Sequence, residues 1–197
     1  ATTLLAPEVF ECMRPYLASD YGNASSIHWF GQRVKAGIET AREQVAQLIG
    51  ARPREIVFTS GGTEADNLAI LGILGAIQGQ KKHMITSSIE HHAVLNTGKA
   101  VEQQGVEVTY LRVGSEGIVS PDDVARAIRP ETALISIMHA NNEIGTIQPI
   151  TEIARIAGEN NIYFHTDAVQ SAGKIPLDVG GLGVSLLSLS AHKIHGP

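Results

Sequence analysis

The strongest constraint on the fold is an alternation of short apolar runs with longer helical patterns. The short runs predicted as strands cover residues 83–87, 106–111, 133–138, 162–165 and 184–189. Helical patterns between them cover about 64–78, 92–104, 121 onward and 149–160. Strands joined by helices run parallel, and the helices cover both sheet faces. The sequence therefore predicts an α/β chain of three layers, α/β/α, with a mainly parallel (mixed) sheet.

The region before residue 60 predicts two helices and one further strand. Helices are expected over Pro7–Ser19 and from the loop after Tyr21 to about Ile49, where Gly50 is a stop signal. The run Glu55–Thr59 has the β-branched composition of a short strand.

Composition excludes several classes of protein. The 197 residues carry a formal net charge of −5 and no basic tract, so neither nucleic acid nor an anionic membrane is an expected partner. Mean hydropathy is near zero, at +0.04, which is typical of a soluble globular protein. The single cysteine, Cys12, precludes an internal disulfide and favours a reducing compartment such as the cytoplasm.

A glycine turn between the strand predicted over 55–59 and the following helix suits a phosphate group. In the run Ser60 to Glu64, Gly62 and Thr63 would present backbone N–H groups and a hydroxyl at a helix N-terminus. The run matches neither a GxGxxG nor a Walker motif, so a single phosphate is favoured over a dinucleotide or nucleoside triphosphate. A plain glycine turn capped by Thr63 is the alternative.

Polar residues also follow four of the predicted strands. His91 could titrate or stack on a ring, or could cap a helix, and Asn142 could bind a ligand oxygen or belong to an Asn-rich turn. Asp167 needs a positive or hydrogen-bonded partner or else caps the next helix, and Gln170 could bind the same ligand. Lys193 is either an amine nucleophile or a residue that extends to solvent. The histidines show no metal-ligand spacing, so no metal site is expected.

Together these groups specify one kind of ligand. The glycine turn suits a phosphate, the imidazole a ring, Asp167 a basic ring nitrogen and Lys193 an aldehyde. Pyridoxal 5'-phosphate has all four parts, and its protein sites use a lysine together with an acidic partner for the ring nitrogen.

Six segments carry a resemblance to a known family, and they follow one another in its order and at about its spacing. They are GNASSIHWFG, IVFTSGGTEADNLAI, EHHAVL, SIMHANNEIGTIQPI, FHTDAVQSAGKIPLDV and SLSAHKIHGP. The chain resembles the cysteine desulfurases of the class V aminotransferase family, in the group that supplies sulfur for iron–sulfur clusters and tRNA thiolation. The resemblance implies the large domain of a pyridoxal-phosphate-dependent transferase.

The resemblance implies roles for individual residues. Lys193 would bind the cofactor aldehyde and later abstract the substrate α-proton, and His91 would stack on the ring and move protons. Asp167 would face the ring nitrogen. Five further residues would complete the cofactor site: Gly62, Thr63, Ser190 and His192 at the phosphate, and Gln170 at the phenolic oxygen. Asn142 would bind the substrate carboxylate or that ring oxygen.

The resemblance also implies that part of the machinery lies beyond Pro197, so we expect a piece of a longer polypeptide. Missing are the nucleophilic cysteine, a substrate-binding arginine and a phosphate ligand from a partner subunit. Residues 1–15 are expected to pack with a separate small domain, and residues 16–197 to form the N-terminal part of the large domain. Ala24 stands where the family usually has proline, which predicts a looser loop.

The expected activity is removal of sulfur from L-cysteine, giving L-alanine and a protein-bound persulfide. A homodimer and a sulfur-acceptor or iron–sulfur scaffold protein are the expected partners. The alternatives are selenocysteine lyase or another class V pyridoxal-phosphate enzyme, and a non-catalytic sulfur-transfer scaffold. Retention of Lys193, Asp167 and His91 together argues against the scaffold.

Overall fold

A computed structural model describes residues 2–78 and 82–197 of the chain. Its helices are α1 (Pro7–Ala18), α2 (Trp29–Ile49), α3 (Gly62–Ala76), α4 (His92–Glu102), α5 (Pro121–Ala127), α6 (Ile150–Glu159) and α7 (Val179–Leu182). Its strands are β1 (His83–Ser87), β2 (Glu107–Leu111), β3 (Thr132–Ser136), β4 (Tyr163–Asp167) and β5 (Leu186–Ser188). Short 3-10 helices cover Pro53–Glu55 and Ala191–Lys193.

The five strands form one sheet in the order β2-β1-β3-β4-β5, and every neighbouring pair is parallel. After β1 the chain moves to β2 on one side and then returns to β3 on the other. In sheets of this type ligands bind at the carboxyl ends of the strands where the direction reverses, which here are β1 and β3.

Helices cover both faces of the sheet. On one face, Ile70 and Leu74 of α3 and Val94 of α4 share a buried apolar cluster with Met84 and Leu134. On the other face, residues of α5 and α6 pack in a second buried cluster with residues of β1, β3 and β4. The predicted three-layer α/β/α architecture is confirmed.

Helix ends follow local chemistry. His28 caps the start of α2, because its Nδ1 accepts a hydrogen bond from the Gly31 N–H at 3.3 Å, and Gly50 caps the end of the helix with a left-handed φ of 68°. Ser120 caps α5 by accepting from the Asp123 N–H. Because only glycine adopts positive φ without a steric penalty, the stop predicted at Gly50 is confirmed.

The strand predicted over Glu55–Thr59 is wrong. Glu55 ends a 3-10 helix, Ile56 has an extended backbone, and residues 56–59 belong to no strand in the described part of the chain. Val57 and Phe58 are 69% and 49% exposed, and the Arg42 guanidinium lies 5.0 Å from the Phe58 ring centroid. A β-branched composition is not enough for a strand, because a strand also needs a hydrogen-bonded neighbour.

A cleft of about 1190 Å³ is lined by Ile56–Thr59 and by Val184–Leu189, a run that includes β5 at the edge of the sheet. The glycine turn and residues 190–192 also line it. In residues 2–78 and 82–197 we find no helix with the length and apolar character needed to span a bilayer.

Candidate active site

The carboxyl ends of four strands deliver the predicted polar residues to one edge of the sheet. The loop after β1 carries His91, and the loop after β3 carries Asn142. Asp167 is the last residue of β4, and Lys193 lies five residues after β5 ends. Because all four strands are parallel, residues distant in sequence converge at this edge.

The glycine turn meets the loop that follows β5. A Cβ atom built on Gly62 would lie 3.0 Å from Val169 Cγ2 and 3.5 Å from the Ser190 Cβ atom. Gly62 is the first residue of α3, so the N–H groups of the first helical turn have no partner within the helix. Backbone donors, an exposed Thr63 and the Ser190 hydroxyl together form a cradle that suits an anion.

Asp167 is a buried carboxyl group beside two groups that can be cationic. It is 6% exposed, and its Oδ1 accepts a hydrogen bond from the Val169 N–H at 2.9 Å. Burial raises the pKa of Asp167, while this hydrogen bond and the positive charges of His91 and Lys193 lower it. Within the described chain no lysine or arginine nitrogen lies within ion-pair distance of Asp167. The carboxyl group is thus available to a cationic ligand.

His91 has a structural role as well as a place at this edge. It caps α4, because its Nδ1 accepts a hydrogen bond from the Ala93 N–H at 3.1 Å. The residue is exposed. The helix-cap interpretation is therefore confirmed, and it leaves Nε2 and the ring face free for a ligand.

The two predicted amide side chains, those of Asn142 and Gln170, both lie in turns. Asn141 forms the turn, since its Oδ1 accepts from the N–H groups of Glu143 and Ile144 and its Nδ2 donates to the Ile89 carbonyl. Its neighbour Asn142 is half-buried beside this turn. Gln170 is half-buried in the turn that follows Asp167. Ligand-binding roles for Asn142 and Gln170 stay predictions.

The loop with Lys193 is attached to the start of the chain. Lys193 is half-buried, and its N–H donates to the Ser190 carbonyl at 3.2 Å. The His192 carbonyl accepts from the Thr3 N–H at 2.9 Å and from the Thr3 hydroxyl at 3.0 Å, and His192 Nδ1 lies 3.3 Å from Thr2 Oγ1. The sequence does not predict these contacts. Packing of residues 1–15 against a separate domain stays a prediction.

Sequence reasoning missed Asp66, which lies beneath the site. It is 1% exposed, and its Oδ1 is 3.6 Å from Nε2 of the fully buried His165. Burial, with the charge of Asp167, raises the pKa of Asp66 to about 8. Burial lowers the pKa of His165 to about 4. The available signal was a second acidic residue, two positions after Glu64, just before the apolar part of α3.

The donor set fits a phosphorylated heteroaromatic aldehyde of the pyridoxal phosphate type. Because Gly62 has no side chain, the space between it and Ser190 stays open where a Cβ would crowd Val169. Asp167 has no lysine or arginine paired with it in the described part of the chain. His91 and Lys193 supply an aromatic face and an amine at the same edge. In the described ranges, no three His, Cys, Asp or Glu side chains form a group that could hold a metal ion.

Comparison with known proteins gives a consistent family. The model of the aminotransferase class-V family matches residues 1–197. The chain is 57% identical to a cysteine desulfurase IscS of Dictyoglomus turgidum and 58% identical to one of Methanosarcina thermophila, in each case over 197 residues. The alignments include 100% of this chain but only 50% and 49% of the two relatives, so the chain spans about half of their length.

Solved structures agree. The structure described as SspA in complex with cysteine superposes with a TM-score of 0.97 at 46% identity, and a NifS-like protein with 0.96 at 41%. Both comparisons cover 100% of this chain, and they cover 56% and 54% of the other chains. Family model, relatives and fold agree with the resemblance drawn from the six segments, and the chain belongs to the class V aminotransferase family.

Proposed function

We propose that the chain is the cofactor-binding half of a pyridoxal-phosphate-dependent cysteine desulfurase. The observation that carries the proposal is the convergence of Asp167, His91 and Lys193 at one sheet edge, next to the Gly62–Ser190 cradle. The similarity to proteins named cysteine desulfurase supports it.

Each residue would have a defined task. Gly62, Thr63, Ser190 and His192 would bind the phosphate. Asp167 would keep the ring nitrogen protonated, because a nearby carboxylate favours the protonated form of a base. His91 would orient the ring from one face, and Gln170 and Asn142 would donate hydrogen bonds to ligand oxygens. When bound, pyridoxal phosphate supplies an electron sink for carbanion chemistry.

Lys193 would hold the cofactor through its amine and, once released by the substrate amine, remove the α-proton of cysteine. Lys193 is half-buried at the same sheet edge as Asp167 and His91, which places its amine at the proposed cofactor site.

The proposed substrate is L-cysteine, and the cysteine in the description of the SspA structure supports this choice. The products would be L-alanine and a persulfide on a protein cysteine. Cys12, the one cysteine of the chain, lies exposed on α1 and is not assigned this role. The accepting thiol is proposed to belong to another part of the protein.

Further parts of the proposal concern partners and location. We propose a homodimer, a sulfur-acceptor or iron–sulfur scaffold protein as its partner, and a cytoplasmic location. A single cysteine, which allows no internal disulfide, supports a reducing compartment.

The test uses the full-length gene product that contains this chain, purified with pyridoxal phosphate. We expect equimolar alanine and transferable sulfur from L-cysteine, with a visible cofactor absorbance that Lys193→Ala abolishes. Lys174→Ala is the matched control, because Lys174 is exposed and donates only to the Gln170 carbonyl. Cofactor absorbance that persists unchanged in Lys193→Ala would refute the proposal, and preferred turnover of selenocysteine would favour the lyase alternative.

A further inference from the structure

Three carboxyl groups lie buried together beneath the candidate active site. They belong to Asp66 on α3, Glu90 in the loop after β1, and Asp167 at the end of β4. Their residues are 1%, 5% and 6% exposed, respectively. The negative charge of Asp167 acts on both of the others, and that of Asp66 acts on Glu90, so the three form one electrostatic cluster.

Asp66 has no cationic partner. The nearest basic group is His165, whose Nδ1 and Nε2 each lie 2.9 Å from a serine hydroxyl, of Ser136 and Ser188 respectively. A neutral imidazole satisfies this pair with one donor and one acceptor. Because His165 is fully buried and the protein lowers its pKa, it provides no positive charge at neutral pH. Asp66 Oδ1 accepts no hydrogen bond among the described residues.

Glu90 is in a similar position. Its Oε1 accepts hydrogen bonds from the Ser87 hydroxyl at 2.6 Å and from the Met138 N–H at 3.0 Å. Its Oε2 is buried without a partner in the described part of the structure. No lysine, arginine or histidine nitrogen described here lies within ion-pair distance of Glu90.

Asp167 has the contacts that Asp66 and Glu90 lack. The positive charges of His91 and Lys193 both act on Asp167, whereas no positive charge of a described residue acts on Asp66 or Glu90, and Asp167 also accepts a backbone hydrogen bond from Val169. A buried carboxylate without a counter-ion costs far more free energy than an unpaired neutral oxygen. The charge of the cluster therefore belongs on Asp167.

We propose that Asp66 and Glu90 are protonated and uncharged in the folded protein. They then act as positioning residues, because they leave Asp167 as the only negatively charged member of the cluster. The proposal deepens the proposed function, on which its second experiment rests. One carboxylate at the site matches one protonated ring nitrogen, whereas three would repel each other. Replacement of Asp66 or Glu90 by its amide should then preserve the charge at the site, whereas replacement of Asp167 should remove it.

The first experiment measures the charge state in the full-length protein without cofactor. Infrared spectroscopy at neutral pH should show the carbonyl stretch of protonated carboxylic acids. Asp66→Asn and Glu90→Gln should each remove part of that band. In the wild type the band should disappear as the pH rises through about 8. Asp122→Asn, an exposed acid on α5, is the control and should leave the band unchanged.

The wild-type titration needs no variant, so it decides the question even if a substitution prevents folding. Absence of the band at neutral pH, or a band that neither amide variant reduces, would overturn the proposal. This measurement requires no activity, so its failure is distinct from failure of the proposed function.

The second experiment measures the positioning role by pyridoxal phosphate titration. We expect Asp66→Asn and Glu90→Gln to keep the cofactor dissociation constant within about threefold, because each amide is as uncharged as the protonated acid it replaces. Asp167→Asn should weaken binding by about tenfold or more, which corresponds to about 1.4 kcal/mol. Comparable losses in all three variants would show that all three carboxylates are charged, and would contradict the proposal.

Discussion

Gly62 is the residue at which the lack of a side chain matters most. Its neighbours Val169 and Ser190 belong to the loops after β4 and β5, and they approach to within 3.0 and 3.5 Å of the position a Cβ would take. A larger residue would push these loops away from the first turn of α3. The distance between the backbone donors and the Ser190 hydroxyl therefore depends on this one glycine.

We expect Gly62→Val to lower pyridoxal phosphate affinity by about tenfold, because overpacking of this kind typically costs about 1–3 kcal/mol. Pyridoxal, which has no phosphate, should lose less affinity, and equilibrium titration of both ligands measures the difference. Gly72→Ala is the control on the same helix: a Cβ there meets no atom within 4 Å, so binding should not change. Equal losses for both ligands would contradict a phosphate role for Gly62.

At the scale of single elements, α4 links folding to the site through its N-cap residue, His91. His91 caps this helix with Nδ1, while its charge acts on Asp167 at the end of β4. Because His91 caps α4, the position of its ring depends on that helix. The two contributions can be separated by substitution, because asparagine caps helices as well but has no ring.

We expect His91→Asn to retain nearly all the stability of the protein, and His91→Ala to lose about 1 kcal/mol, as is typical when a helix cap is removed. Both variants should lose the cofactor-ring contact to the same degree. Denaturant unfolding of the cofactor-free protein measures the first effect, and the spectrum of bound cofactor measures the second. Wild-type cofactor behaviour in His91→Asn would show that the imidazole is only a cap.

At the scale of the whole molecule, the first residues of the chain are bonded to the loop that carries Lys193. Thr3 Oγ1 donates to the His192 carbonyl at 3.0 Å and accepts from the His195 N–H at 2.7 Å, and the Ala6 N–H donates to the His195 carbonyl at 3.0 Å. These contacts join residues about 190 positions apart, so the loop is held by a segment remote in sequence.

Thr3→Val removes both hydroxyl contacts while it preserves the shape of the side chain. We expect faster amide hydrogen exchange at residues 193–195 and a loss of about 1–2 kcal/mol of local stability, since each hydrogen bond contributes about 1 kcal/mol. Thr151→Val, at an exposed position on α6, should leave exchange in this loop unchanged. Unchanged exchange in Thr3→Val would show that the N-terminal segment does not restrain the Lys193 loop.

The amino-acid sequence alone determined the layered architecture, the helix stop at Gly50 and the positions of polar residues after each strand. These features depend on periodicity, glycine conformation and caps, which are properties of neighbouring residues. Parallel strands then bring their carboxyl ends together whatever the sequence separation, so the convergence of His91, Asp167 and Lys193 could also be predicted.

Only the tertiary structure decided the features that depend on residues distant in sequence. Residues 56–59 have the composition of a strand, yet whether they pair depends on a neighbour that local pattern does not specify. From the sequence, Asp66 is only a polar residue near the start of a helix. In the folded chain, packing of α3 against β4 and β5 buries Asp66 beside His165. The charge of a carboxyl group depends on its solvation and its partners, and folding brings those together from separate parts of the chain.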